Sequence, residues 1–158
     1  MGTEQVSVST TIEATPEAVF AVLADPSSHA AIDGTGWVRE AQDAEQIRAA
    51  GQVFRMAMFH QNHPDGDYEI ANLVEVFDEP RAIGWKPGTE EPGGELSIGG
   101  WAWRYDLAAD GPARTVVTLT YDWSAVPPEV REYLQFPPFE LTHLEHSLAH
   151  LSALVAAS

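Results

Sequence analysis

The chain has 158 residues, of which 44% are hydrophobic and 20% charged, and it has no cysteine. That length suits one domain, residues 1–158, with a core that removes roughly 70% of the unfolded surface from water. Without cysteine there are no disulfides, thiolate metal sites or cysteine nucleophiles. Eight basic residues face 24 acidic ones, a formal charge of −16. Such a surface repels phosphate backbones and anionic bilayers, so neither a nucleic acid nor a membrane is an expected partner. The stretch Met1–Thr10 is polar and carries Glu4 in place of a basic cluster, which argues against a secretory signal. The sixth position is Val6, not the Ser or Thr favoured in a myristoylation signal, and every apolar stretch is short for a bilayer span. A cytoplasmic location is expected.

Val6–Ile12 alternates apolar and polar residues, with a lapse at Thr10, and reads as a half-buried strand. Thr15 suits a helix N-cap and Pro16 the first helical position. Val19, Phe20, Val22 and Leu23 then give the helix an apolar face. Asp25-Pro26 ends it, and a second short helix is expected through Ile32 before a turn at Gly34 and Gly36. From Trp37 onward the period becomes two. Strands are predicted at Trp37–Gln42, Gln52–His60, Asp67–Phe77, Ala82–Lys86, Ile98–Leu107 and Thr115–Trp123. The turn signals between them are Ala50-Gly51, Pro64-Asp65-Gly66, Asp78-Glu79-Pro80, Pro87-Gly88, Gly93-Gly94 and Asp110-Gly111-Pro112. Short turns and no intervening helix imply an antiparallel meander, not a parallel sheet.

Ser124–Pro138 is a proline-rich connector with room for a helical turn over Glu129–Gln135. A long helix follows over Phe139–Ala156, with Leu141, Leu144, Leu148, Leu151 and Val155 in one stripe. The only biased segment is Gly88–Glu95, an acidic, glycine-rich loop. No internal repeat is present. The order strand, helix pair, six strands, long helix defines an α+β architecture, in which an antiparallel sheet buries one face against the last helix.

Several segments together resemble the START/birch-pollen-allergen-like (SRPBCC) superfamily, the helix-grip fold, and within it the polyketide cyclase/dehydrase-like branch. They are Ile12-Glu13-Ala14-Thr15-Pro16-Glu17-Ala18-Val19-Phe20, Leu23-Ala24-Asp25-Pro26, and Val74-Glu75-Val76 with Asp78-Glu79-Pro80-Arg81-Ala82-Ile83-Gly84-Trp85. Trp103-Arg104-Tyr105-Asp106-Leu107 and Thr115-Val116-Val117-Thr118-Leu119-Thr120 complete the set. The resemblance implies a curved antiparallel sheet of about seven strands wrapped round a long C-terminal helix, with two short helices after the first strand. It also implies a cavity between sheet and helix. It is specific for fold and weak for function, because the superfamily spans lipid carriers, hormone receptors, cyclases and chaperone-ATPase activators. Many relatives carry a W-x-x-W-like pattern after the second helix. Here that stretch is Ser28-His29-Ala30-Ala31-Ile32-Asp33-Gly34, a departure that would alter the cavity mouth or its ligand.

Alternation assigns the inner face. Trp101, Trp103, Tyr105 and Leu107 share one face, as do Val117, Leu119, Tyr121 and Trp123. Phe54, Met56, Met58 and His60 share another, as do Tyr68, Ile70, Asn72, Val74 and Val76, joined by Ile83 and Trp85. So many rings suit a flat apolar or aromatic ligand, with Leu144 and Leu148 closing it from the helix. Of the polar groups there, His60 is the candidate for acid–base chemistry, since imidazole exchanges protons near neutral pH. Tyr68, Tyr105 and Tyr121 offer hydroxyls to a carbonyl. Asn72 needs a hydrogen-bond partner if buried, and a structural bond is the expected use.

His143, His146 and His150 share a face of the last helix, about 120° from its leucine stripe at 100° per residue. A solvated face is expected there, with no metal, and no cofactor motif occurs anywhere. Asp106 and Asp122 alternate outward, and no carboxylate pair is evident. Gly99-Gly100 is read as a bulge or as room beside Trp101. The entrance is expected among Asp33–Gly36, His60–Gly66, Gly88–Gly94 and Val126–Pro138, with Tyr133, Phe136 and Phe139 as gating residues.

The leading expectation is a binder of a hydrophobic small molecule: a polyketide, lipid or aromatic metabolite. The alternatives are an aromatase, cyclase or dehydratase acting on such a ligand, a sequestration or self-resistance protein, and a chaperone-partner domain. A monomer or homodimer is expected.

Overall fold

The computed structural model describes residues 5–25, 28, 32, 38–41, 47–59, 67–90, 96–98, 100–131 and 142–157. Among them, eight strands form one antiparallel sheet. They are β1 (Gln5–Ile12), β2 (Val38–Ala41), β3 (Val53–Phe59), β4 (Asp67–Asp78), β5 (Ala82–Glu90), β6 (Leu96–Ile98), β7 (Ala102–Ala109) and β8 (Thr115–Asp122). The helices are α1 (Pro16–Leu23), the single turn α2 (Pro128–Arg131) and α3 (Thr142–Ala157). The strands lie in the order β1-β8-β7-β5-β4-β3-β2, with β6 paired to β5. From β2 to β8 the sheet is a meander of sequential neighbours. Two strands leave that order: β6 pairs only the far end of β5, whose first half pairs with β7, and β1 pairs along its whole length with β8, from Gln5 opposite Asp122 to Ile12 opposite Thr115.

The sheet is curved, and α1 and α3 pack on its inner face. Thr15 caps α1, its hydroxyl oxygen accepting from the Ala18 amide at 3.2 Å, and Pro16 occupies the first turn, where its missing N–H costs nothing. Val19, Phe20 and Leu23 of α1 are wholly buried. On α3, Leu144, Leu148, Leu151 and Val155 form the buried stripe that the spacing predicts, with Ser147 beside it. These side chains meet Ile83, Leu107, Val117 and Leu119 of the sheet in the main core. Each buried leucine or phenylalanine of this kind contributes about 1.5–3 kcal/mol. The Thr115 hydroxyl, wholly buried, donates to the Ala14 carbonyl at 2.7 Å and ties the start of β8 to the β1–α1 connection. The outer face is polar: Ser9 and Thr118 bond side chain to side chain at 2.8 Å, and Arg104 pairs with Asp106. These exposed links contribute little to stability.

Three sequence expectations need correction. Val76 does not face inward. The register shifts between Val74 and Val76, and this β-bulge reverses the alternation, so Phe77 stands opposite Ile83 and meets Phe20 edge-on at 5.3 Å. Pro87-Gly88 is not a turn, and the loop expected from Gly88 starts later, because β5 runs on to Glu90. There Pro87 lies opposite Asn72, and Gly88 lies between Ala71 and Ile98. The strand expected over Ile98–Leu107 is two, β6 and β7, separated at Gly100. That residue has φ +102°, and a Cβ on it would lie 2.6 Å from the Ala125 carbonyl oxygen. The second short helix through Ile32 falls largely outside the described residues, as do Leu141, Tyr133, Phe136 and Phe139.

Candidate functional site

Pairing across the sheet brings distant aromatic residues into one row. Val74 of β4 stands opposite Trp85 of β5, Trp85 opposite Trp103 of β7, Trp103 opposite Tyr121 of β8, and Tyr121 opposite Val6 of β1. Ring contacts run along it. Phe54 meets Trp85 edge-on at 5.4 Å, Trp85 meets Tyr105 at 6.1 Å, and Trp103 lies 4.6 Å from Tyr121, which lies 5.9 Å from Trp123. These separations are the ones at which aromatic quadrupoles attract.

The row has two unequal sides. Beside it, Ile83, Val117 and Leu119 are sealed under the helices at 0% exposure. Toward the opposite end, Tyr121, Trp123 and Val126 form a second buried cluster, with Val6, Trp101 and Trp103 packed against it. Trp85, Trp101 and Trp103 stay only half-buried, although Phe54, Met56, Tyr105, Tyr121 and Trp123 around them are buried.

Local chemistry builds this end. The Asp122 carboxylate accepts from the backbone N–H of Ser124 at 2.8 Å and from its hydroxyl at 2.7 Å, a turn that redirects the chain after β8. The Val126 amide then donates to the Trp123 carbonyl at 3.1 Å, folding Val126 back onto the rings. Val126 was not anticipated as part of this cluster; the Asp-x-Ser spacing before it is the signal that would have found it.

Two polar groups sit within the apolar surroundings. Burial pushes the Tyr121 hydroxyl well above the usual phenol range, so it stays protonated at any ordinary pH. Asn72 is 2% exposed; its Nδ2 donates a long hydrogen bond of 3.4 Å to the Phe54 carbonyl, while its Oδ1 has no partner among the described residues. The expected structural bond is thus half made.

Leu144 and Leu148 are buried in the main core. Met58 and Tyr68 lie opposite each other in β3 and β4, and their side chains fall outside the described set. His60 lies outside the described residues. The histidines of α3 divide. His146 is exposed, with its ring 6.3 Å from that of His143, and His150 Nδ1 donates to the Ile32 carbonyl at 3.1 Å, a structural tether. Among the described residues, no cluster of His, Asp and Glu is placed to hold a metal, and no helix is long and apolar enough to cross a membrane.

The fold is the helix grip, shared with solved structures of low sequence identity. A protein from Arthrobacter aurescens aligns with a TM-score of 0.69 at 14% identity, over 98% of this chain and 87% of its own. Norcoclaurine synthase from Thalictrum flavum, solved with dopamine and hydroxybenzaldehyde, aligns with a TM-score of 0.64 at 13% identity, over 97% of this chain and 86% of its own. An AHSA1-like protein from Aeromonas hydrophila gives 0.59 at 18% identity, over 97% of this chain and 92% of its own. In sequence, the chain is 27% identical over 124 residues to an uncharacterized Mycobacterium tuberculosis protein, covering 78% of this chain and 50% of that one. The chain therefore spans about half the length of the curated relative it matches. No family model matches.

Proposed function

We propose that the protein binds a hydrophobic small molecule with a flat aromatic portion, held between the aromatic row and the C-terminal helix. The observation that carries this reading is the half-burial of Trp85 and Trp103 on the inward face of the sheet, and of Trp101 just before β7, beside the buried Phe54, Tyr105, Tyr121 and Trp123. Open indole surface beside a close-packed core is where a planar apolar ligand gains most by stacking. The two aromatic molecules in the norcoclaurine synthase structure show that a grip of this shape accommodates such compounds in that protein. We read residues 1–158 as one helix-grip domain, working as monomer or homodimer in the cytoplasm, on a polyketide or other aromatic metabolite.

The test is a titration of tryptophan fluorescence with 2-naphthol and an anthraquinone, against oleate as a chain-like control. Saturable quenching by the aromatic compounds, with one molecule bound in native mass spectrometry, is expected. No binding by any of the three would refute the reading and leave a chaperone-partner or other surface role. Tight capture without turnover would describe sequestration.

A second reading is an aromatase, cyclase or dehydratase working on the same ligand, and Tyr121 favours it. Its ring lies in the aromatic row, 4.6 Å from that of Trp103, where a tyrosine hydroxyl can polarise a substrate carbonyl. Product formed from a poly-β-ketone substrate, and lost in Tyr121→Phe or His60→Ala with binding retained, would support it.

A further inference from the structure

The side chain of Asn72 has no evident reason to be polar. It sits in β4 on the inward face, opposite Phe54 on one side and Pro87 on the other, with Val74 next along the same face. Trp85, edge-on to Phe54, lies two positions along β5 from Pro87. A leucine or valine would fill this place without stripping water from an amide. The amide's orientation is fixed: turned over, its oxygen would face the Phe54 carbonyl oxygen at 3.4 Å, acceptor against acceptor. The oxygen is therefore the half left bare, at 2% residue exposure. A buried acceptor with no donor forfeits its hydration and gains nothing in return.

We infer that Asn72 Oδ1 is the orienting acceptor for the ligand, and that the ligand is a neutral compound with a hydrogen-bond donor, a hydroxyl or N–H, on its aromatic portion. This rests on the binding reading above and narrows it. An amide oxygen accepts from a hydroxyl, offers nothing to an ether or a ketone, and repels a carboxylate. The formal charge of −16 adds to that last exclusion. A ring stacked on the half-buried Trp85 would bring a hydroxyl substituent toward the amide, so stacking would supply affinity and Asn72 would set orientation.

The experiment compares 2-naphthol with 2-methoxynaphthalene, naphthalene and 2-naphthoate on the wild-type protein, and then on Asn72→Leu and Asn72→Met. In the wild type, 2-naphthol should bind about tenfold more tightly than its methyl ether, with naphthoate weakest. In Asn72→Leu that ratio should fall to about one, with naphthalene binding as well as before or better. The unliganded Asn72→Leu protein should melt no lower than the wild type, because no completed structural network is lost. Asn72→Met gives the same comparison should the branched side chain disturb folding. Equal binding of naphthol and ether by the wild type would overturn the assignment of Asn72 and leave the binding reading intact. So would a ratio that survives both substitutions. Failure of all four probes to bind would instead refute the binding reading, and this inference with it.

Discussion

Replacing Gly100 by alanine tests how tightly the aromatic end is closed. Gly100 has φ +102°, and an added Cβ would lie 2.6 Å from the Ala125 carbonyl oxygen and 2.7 Å from Val126 Cα. Both neighbours are backbone, so no side chain can swing aside. Two costs add. The left-handed backbone costs any residue with a Cβ about 1–2 kcal/mol. Forcing apart packed backbone costs about 1–3 kcal/mol more. Gly111 is the internal control, with φ +100° and nothing within 4 Å of its Cβ position. Gly111→Ala should show the first cost alone, and Gly100→Ala a total of about 3 kcal/mol. At about 2–4 °C per kcal/mol for a chain of this size, Gly100→Ala should melt about 10 °C lower and Gly111→Ala about 4 °C lower. Urea unfolding followed by tryptophan fluorescence and by far-ultraviolet dichroism gives the free energies and checks two-state behaviour. Equal losses in the two variants would refute the close approach of residues 125–126 to Gly100.

Two further outcomes follow from the packing. Because burial raises the Tyr121 hydroxyl above its unfolded value of about 10, its contribution to stability is complete below pH 10 and is lost as pH rises from there toward the folded value. Melts at pH 9 and pH 11 should therefore show a smaller alkaline loss in Tyr121→Phe than in the wild type; equal slopes would place the phenol in water. Leu151 is wholly buried while Leu154 is only partly so, and Leu151→Ala should lose about 3 kcal/mol and Leu154→Ala clearly less, by the same urea unfolding. A reversed order would mean that α3 presents a different face to the sheet.

The strands and the α3 stripe were legible because a half-buried element writes its period into its own residues. Thr15-Pro16 likewise announced the start of α1. What a single strand cannot show is its neighbour. The bulge at Val74–Val76 turns Phe77 inward, and nothing within β4 announces it, since both Val76 and Phe77 are apolar. Pro87 looked like a turn residue, yet it continues β5, a placement that depends on what β4 and β6 present to it. The inward placement of the tryptophans followed from alternation, but the row from Trp85 through Trp103 to Tyr121 exists only once register is set. Asn72 stood out in the sequence as a polar residue on an apolar face. Its unmet oxygen could be seen only when Phe54 and Pro87 took their places beside it.

The pairing of β1 with β8 has a consequence for how the protein is made. Gln5 waits for Asp122 and Ile12 for Thr115, so the first strand leaves the ribosome long before its partner exists. At about 5–20 residues per second, that wait lasts several seconds. During it, β1 exposes a complete set of unpaired amides and carbonyls. Its sequence suits the delay, since Ser7, Ser9 and Thr11 interrupt the apolar positions and leave no continuous sticky strip. The meander from β2 to β7 involves near neighbours and can assemble during synthesis. Closure by β1 is the longest-range strand pairing among the described residues, and with the docking of α3 on β1 and α1 it is the step expected to set the pace of folding.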